Sequence, residues 1–159
     1  MQPENSNFHA KLIELMQKFQ QEALAKFQTT IMMPPPSVFE MGTEYVDGDF
    51  STTLRARMPF IDRYRNPVGF YQGGMMGAAF DNVMGPLSYM AFQGPCVTLE
   101  LHTRFVRPFT AHDEFMLIQC TLTSISKNIL TIRGEAHTKD GKLLALASCT
   151  SMRSAPRTT

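Results

Sequence analysis

"NPVGFYQGGMMGAAFDNVMGP", residues 66–86, is the stretch on which the reading of this chain turns. Loop-forming Asn66, Pro67 and Gly69 lead to the paired glycines Gly73 and Gly74, and a mostly apolar run of about 18 residues follows, closed by "QGP" at 93–95. A helix that starts at a double glycine presents unpaired N–H groups and the positive end of its dipole, with no side chain to block close approach. Such an end favours an anion or a polarised carbonyl oxygen. Asp81 stands inside the run, flanked by Met76, Gly77, Ala78, Ala79, Phe80 and Val83. A lone carboxylate in apolar surroundings is costly unless it is hydrogen-bonded or belongs to a site. Pro86 lacks an N–H, so it frees a carbonyl one turn earlier and bends the helix. On the residues alone, the glycines serve equally well for tight packing of helix on sheet, and Asp81 equally well for a solvated seam or a backbone cap.

Upstream, "FHAKLIELMQKFQQEALAKF" at 8–27 places Phe8, Leu12, Leu15, Met16, Phe19, Ala23 and Phe27 at three- and four-residue steps, which predicts an amphipathic helix docked on the domain. A lid or a membrane-surface helix has the same pattern. "MMPPPS" at 32–37 ends it, because consecutive prolines cannot continue a helix and bias the chain toward an extended connector. "SVFEMGTEYV", a "DGD" turn at 47–49 and the alternation of Leu54, Ala56 and Met58 with Thr53, Arg55 and Arg57 predict a first hairpin. After the central helix come "CVTLELHTRFV", with Val97, Leu99, Leu101 and Phe105 assigned to one face, then "EFMLIQCTLTSIS" and "ILTIRGEAHT" joined through "KN", then "KDGK" leading into "LLALASCTSMR". Short connections make these strands antiparallel. The order β-β-α-β-β-β-β gives an α+β fold in which a curved antiparallel sheet wraps a long central helix, with an extra helix at the N-terminus. The divisions are an N-terminal helical segment at 1–33, a Pro-rich connector at 34–37, the main domain at 38–153 and a frayed tail at 154–159.

A chain of 159 residues is long enough for one domain with its own core. Its 15 basic and 14 acidic side chains leave a net charge of +1, which excludes the basic surface that grips nucleic acid. Cys96, Cys120 and Cys149 are far apart and lack metal or redox spacing, so they read as reduced core thiols. His9, His102, His112 and His137 show no zinc-type pairing, and no G-x-S-x-G motif occurs. No metal or organic cofactor is expected. No membrane-spanning run, signal peptide or Arg-rich transit segment is legible, and a cytoplasmic location is the expectation.

The ordered set Asn66, Gly69, Gln72-Gly73-Gly74 and Asp81, followed by "VTLELHTRFVRP" and a "DGKLLALASCT" last strand, resembles hotdog-fold acyl-CoA thioesterases of the phenylacetate-degradation type. The likeness spans roughly residues 38–153. That family usually carries His before the two glycines where this chain has Gln72, a departure that removes an imidazole and leaves the backbone donor untouched.

The resemblance implies that the Asn66 amide and the Gly73 N–H hold a thioester carbonyl, that Asp81 attacks it or activates water, and that Thr98 orients the water. Gln72 and Gly74 belong to the substrate-binding loop. Gly73 and Asp81 are eight residues apart, about 12 Å along a continuous helix, too far to touch one carbonyl carbon. The family's two-fold dimer resolves this by setting Asn66 and Gly73 of one chain against Asp81 and Thr98 of the other, with a dimer of dimers as the larger assembly. Coenzyme A carries phosphates, so Arg104 and Arg107, with Arg63 and Arg65, are candidates for a cationic rim. Met75, Met76, Met84 and Met90 suit an adaptable acyl pocket or plain core packing. The acyl-CoA is the substrate partner, not a cofactor. A non-hydrolytic acyl-CoA binding module is the alternative, and a dehydratase a more remote one.

Overall fold

The computed structural model describes residues 4–27 and 31–154. Helix α1 (Glu4–Phe27) is followed by a short helix α2 (Pro36–Glu40), strands β1 (Glu44–Gly48) and β2 (Thr53–Pro59), the central helix α3 (Gly73–Phe92), and strands β3 (Cys96–Phe105), β4 (Phe115–Ile125), β5 (Ile129–Thr138) and β6 (Leu143–Arg153). The strands form one six-stranded antiparallel sheet in the order β1-β2-β4-β5-β6-β3, so β3 crosses from the chain's middle to the sheet's edge.

Helix α3 packs on β2 through β6. Phe80, Val83, Met84 and Leu87 are wholly buried between helix and sheet, and each such side chain contributes about 1.5–3 kcal/mol. Gly134 of β5 is where the two approach most closely: a Cβ there would lie 2.6 Å from Met84 Cε and 2.9 Å from Phe80 Cδ1. Gln93, in a left-handed conformation with φ 53°, closes the helix.

The expected N-terminal helix is present and belongs to the core. Leu12, Met16 and Ala23 are buried, the Tyr45 N–H donates to His9 Nδ1 (3.1 Å), and Phe19 packs on Tyr89 of α3 with ring centroids 5.5 Å apart. Helix α1, Glu4–Phe27, takes in the whole of the run at 8–27. Two details differ from the sequence reading. The prolines do not make a purely extended connector: Pro35 caps α2 and Pro36 opens it, because proline's fixed φ and missing N–H suit the first helical turn. "SVFE" is therefore helical, and the first hairpin begins only at Glu44. Most of the expected tail, residues 155–159, lies outside the described residues. Among the described residues, no helix is long and apolar enough to cross a membrane.

Strand β3 departs most informatively. Thr98 pairs with Ser151 and Glu100 with Thr150, so Leu99 is an extra residue in a β-bulge. The bulge breaks the single face assigned to Val97, Leu99, Leu101 and Phe105. Thr98 and Leu101 point to the helix side, while Val97 lies level with exposed Met152 and Leu99 is half-exposed.

Candidate active site

The loop between β2 and α3 is fixed by its own backbone. Asn66 N–H donates to Phe70 O (2.7 Å) and Gly69 N–H to Asn66 O (2.9 Å), a turn in which Gly69 takes φ +86°, which glycine adopts without strain. Asn66 Oδ1 accepts from the Val68 and Phe70 N–H groups at 3.1 and 3.0 Å. With its oxygen so engaged, the Asn66 amide has its NH2 as the group to offer. Tyr71 N–H to Phe109 O (3.0 Å) and Gln72 N–H to Tyr64 O (2.8 Å) anchor the exit of the loop.

Gln72 then caps α3 with extended backbone and no side-chain hydrogen bond, so no side chain closes the helix's positive end. Gly73 lies under the Phe105 ring, whose Cζ would be 3.0 Å from an added Cβ, whereas nothing lies within 4 Å of a Cβ at Gly74. Asn66, Phe70, Tyr71, Gly73, Phe105 and Arg107 line a cavity of about 340 Å³. It places an amide donor, a helix N-terminus and apolar walls together.

Asp81 lies on the same helix about two turns away, roughly 12 Å along the axis. It is exposed in the single chain rather than buried in the core, because it occupies the side of α3 that faces the free edge at β3. Thr98 Oγ1 donates to Asp81 Oδ1 across 3.2 Å. The structure thus brings Thr98 to Asp81, and Asn66 to Gly73, as two half-sites within one chain.

Arg107 lines the cavity while its Nη1 donates to Leu143 O (3.0 Å). Arg104 does not join it: it sits on the helix-free face of the sheet beside His102, Arg133 and Glu135, in a separate hollow of about 460 Å³. Arg104 and Arg107 are three residues apart on and just beyond an edge strand, and alternation sends them to different surroundings. Arg65 pairs with Asp62 at 2.6 Å, and Arg63 donates to Glu40 O at 2.9 Å. Among the described residues no group of three or more His, Cys, Asp or Glu side chains could hold a metal ion. Burial, reinforced by Cys149 and Asp81, pushes the Cys96 thiol up to about 12, and burial likewise raises Cys120.

Sequence reasoning missed the neighbours that hold α3 in place. Pro86 has no N–H for the Asn82 carbonyl, and the buried Tyr45 hydroxyl donates to that oxygen instead, at 2.8 Å. The Asn82 side chain accepts from Ser37 Oγ (2.8 Å) and donates to Ser37 O (3.1 Å), tying α2 to the helix beside Asp81. The proline signals the free carbonyl, but nothing local to it identifies Tyr45 as the partner.

A long helix wrapped by one curved antiparallel sheet, with a donor loop at its start, defines the class: this is a hotdog-fold protein. Residues 69–145, just under half of the chain, match the family model described as the thioesterase superfamily. It is similar to a phenylacetic acid degradation-related protein of Ralstonia eutropha JMP134, with 28% identity over 84% of this chain and 98% of that one and a TM-score of 0.69. The PaaI protein from the phenylacetic acid degradation operon of E. coli shares the fold at 16% identity, covering 89% of this chain and 97% of that one, TM-score 0.71. The smu.793 protein of Streptococcus mutans, solved bound to acetyl CoA, shares it at 17% identity over 72% and 90% of the two chains, TM-score 0.65. No curated protein matches the sequence.

Proposed function

We propose that the protein hydrolyses an acyl-CoA thioester to a carboxylic acid and free CoA, at a site completed by two copies of the chain. The observation that carries this reading is the pair of half-sites: donors at the start of α3, and an acid held by a hydroxyl about 12 Å further along. The match to the thioesterase superfamily, and the acetyl CoA on the S. mutans relative, supply the substrate class.

In this mechanism the Asn66 NH2 and the Gly73 N–H receive the thioester oxygen. Donors fixed where the oxyanion forms are worth about 3–4 kcal/mol each. Asp81 of a second copy either takes a proton from water, whose oxygen then attacks the carbonyl carbon, or attacks that carbon itself to give an anhydride that water opens. In both routes the C–S bond breaks, CoA leaves as thiolate and is protonated, and the acid is released. Thr98 holds the Asp81 carboxylate in position.

Strand β3 supports the shared site because it is an unpaired edge that exposes Val97, Leu99, Phe105 and, just beyond it, Val106. A long apolar edge is an invitation to pair with another chain, and a second β3 there would bring each Asp81 toward the other copy's α3 start. Arg107 at the cavity is the cation suited to a CoA phosphate.

The test is thiol release from short, medium, long and aromatic acyl-CoAs, together with subunit mixing. Homodimers of Asn66→Ala and of Asp81→Asn are expected to be inactive, while their mixture recovers one intact site of two. A mixture as inactive as its parents, with wild-type mixing controls active, defeats the shared site. Acyl-CoA binding without any thiol release identifies a non-hydrolytic binding module, the reading that Gln72 in place of the family's His would favour.

A further inference from the structure

The helix-facing side of β3 meets α3 once per helical turn. Thr98 Oγ1 donates to Asp81 Oδ1 at 3.2 Å, and Thr103 Oγ1 would lie 3.8 Å from a Cβ at Gly77. At the start of the helix the far edge of the Phe105 ring closes on Gly73, with Cζ, Cε2 and Cε1 at 3.0, 3.1 and 3.6 Å from a Cβ there. Positions 73, 77 and 81 lie four apart and share one side of the helix. Two of these meetings are polar; the one at the donor end is aromatic.

The end of the strand holds the ring in that place. Phe105 pairs with Ala145, and the next two N–H groups, of Val106 and Arg107, both donate to Leu144 O, at 2.8 and 3.0 Å. Glycine at 73 answers to this ring and to no demand of the backbone. Gly73 opens α3 and is not among the glycines with positive φ. A Cβ at Gly74 would meet nothing within 4 Å, whereas one at Gly73 would meet the ring. The missing side chain thus lets an aromatic edge come beside a backbone N–H that the helix leaves unpaired.

Phe105 is 53% exposed in the single chain. One edge rests on Gly73 while much of the rest faces solvent, so the ring stands between the donor and water. Asn66, Gly73 and Phe105 line the same cavity. Hydrogen bonds and charges act more strongly where water is kept out. A ring edge carries partial positive charge, so it shields an oxygen held at the Gly73 N–H without repelling it.

We propose that Phe105 caps the Gly73 donor: its ring keeps water from the N–H that receives the thioester oxygen, and residue 73 is glycine so that the ring can reach it. The consequence for turnover rests on the hydrolytic reading above.

Two measurements test it. Water exchange at the Gly73 amide, read by nuclear magnetic resonance, is expected to quicken about threefold to tenfold in Phe105→Ala and to stay near the wild-type rate in Phe105→Tyr, while amides inside α3 keep their protection. An unchanged Gly73 rate in Phe105→Ala, or equal quickening along the whole helix, overturns the cap, and this readout needs no enzymatic activity. Gly73→Ala keeps the N–H and displaces the ring. In thiol-release assays it and Phe105→Ala are each expected to lower kcat about tenfold with KM nearly unchanged, and the double variant to lose no more than either single one. Phe105→Tyr retains most of the rate. Losses that multiply, or a Phe105→Ala enzyme at full kcat, overturn the role of the ring. A quickened Gly73 amide in a protein that releases no thiol keeps the cap and rejects the hydrolase.

Discussion

The Tyr45 hydroxyl donates to the Asn82 carbonyl, the α3 oxygen that Pro86 deprives of its helical partner. A buried carbonyl without a donor costs about 1–3 kcal/mol, so strand β1 supplies what the proline removes. The contact fixes the helix at the residue beside Asp81, and it links the placement of the acid to the first hairpin.

Tyr45→Phe should therefore destabilise the protein by about 1–3 kcal/mol, measured by chemical denaturation. In a Pro86→Ala background, where residue 86 regains an N–H for Asn82, the same substitution should cost less. Equal costs in the two backgrounds would detach Tyr45 from the proline.

Replacing Thr98 separates the hydroxyl from its shape. Thr98→Val should lower kcat by about 10- to 100-fold, the worth of a hydrogen bond to a charged group, while Thr98→Ser retains most of the rate. Because Thr98 is exposed at the edge strand, the melting temperature should hardly change. Thr98→Val turning over acyl-CoA at the wild-type rate would remove Thr98 from the site.

Leu99 occupies the bulge with half its surface exposed at the free edge. Leu99→Lys should leave the secondary structure intact by circular dichroism, because the residue packs on nothing in its own chain's core. Charge on an edge opposes strand pairing, so light scattering should show a smaller species, and turnover should fall with it. An active variant that remains a single-chain species would contradict the two-copy site.

Gly134→Ala tests the closest approach of sheet and helix. The added methyl meets the flexible end of Met84 but also the Phe80 ring, and such overpacking costs about 1–3 kcal/mol. The loss should appear in denaturant midpoints, with KM unaffected. A neutral result would mean that Phe80 and Met84 repack without cost.

Much of this was legible in the chain itself. The double glycine, the apolar run and "QGP" marked α3, because a helix start, a buried face and a stop are each written in local residues. Alternation and turn residues gave the strands for the same reason. The resemblance carried by Asn66, Gly69, Gly73, Gly74 and Asp81 pointed to the thioesterase superfamily, and the family match over 69–145 agrees.

What the sequence could not reveal arises where partners are distant along the chain or where register shifts by one residue. Simple alternation puts Thr98 and Leu101 on opposite faces; the bulge at Leu99 puts both toward α3 and lets Thr98 reach Asp81. Alternation separates Arg104 from Arg107, but it does not say that Arg107 is the one at the cavity and Arg104 the one on the helix-free face. Local sequence determined the elements and the chemical groups, since propensity and period act over a few residues. Only the tertiary structure decided which groups meet, since that depends on strand register and on how β3 returns to pair with β6 at the edge of the sheet.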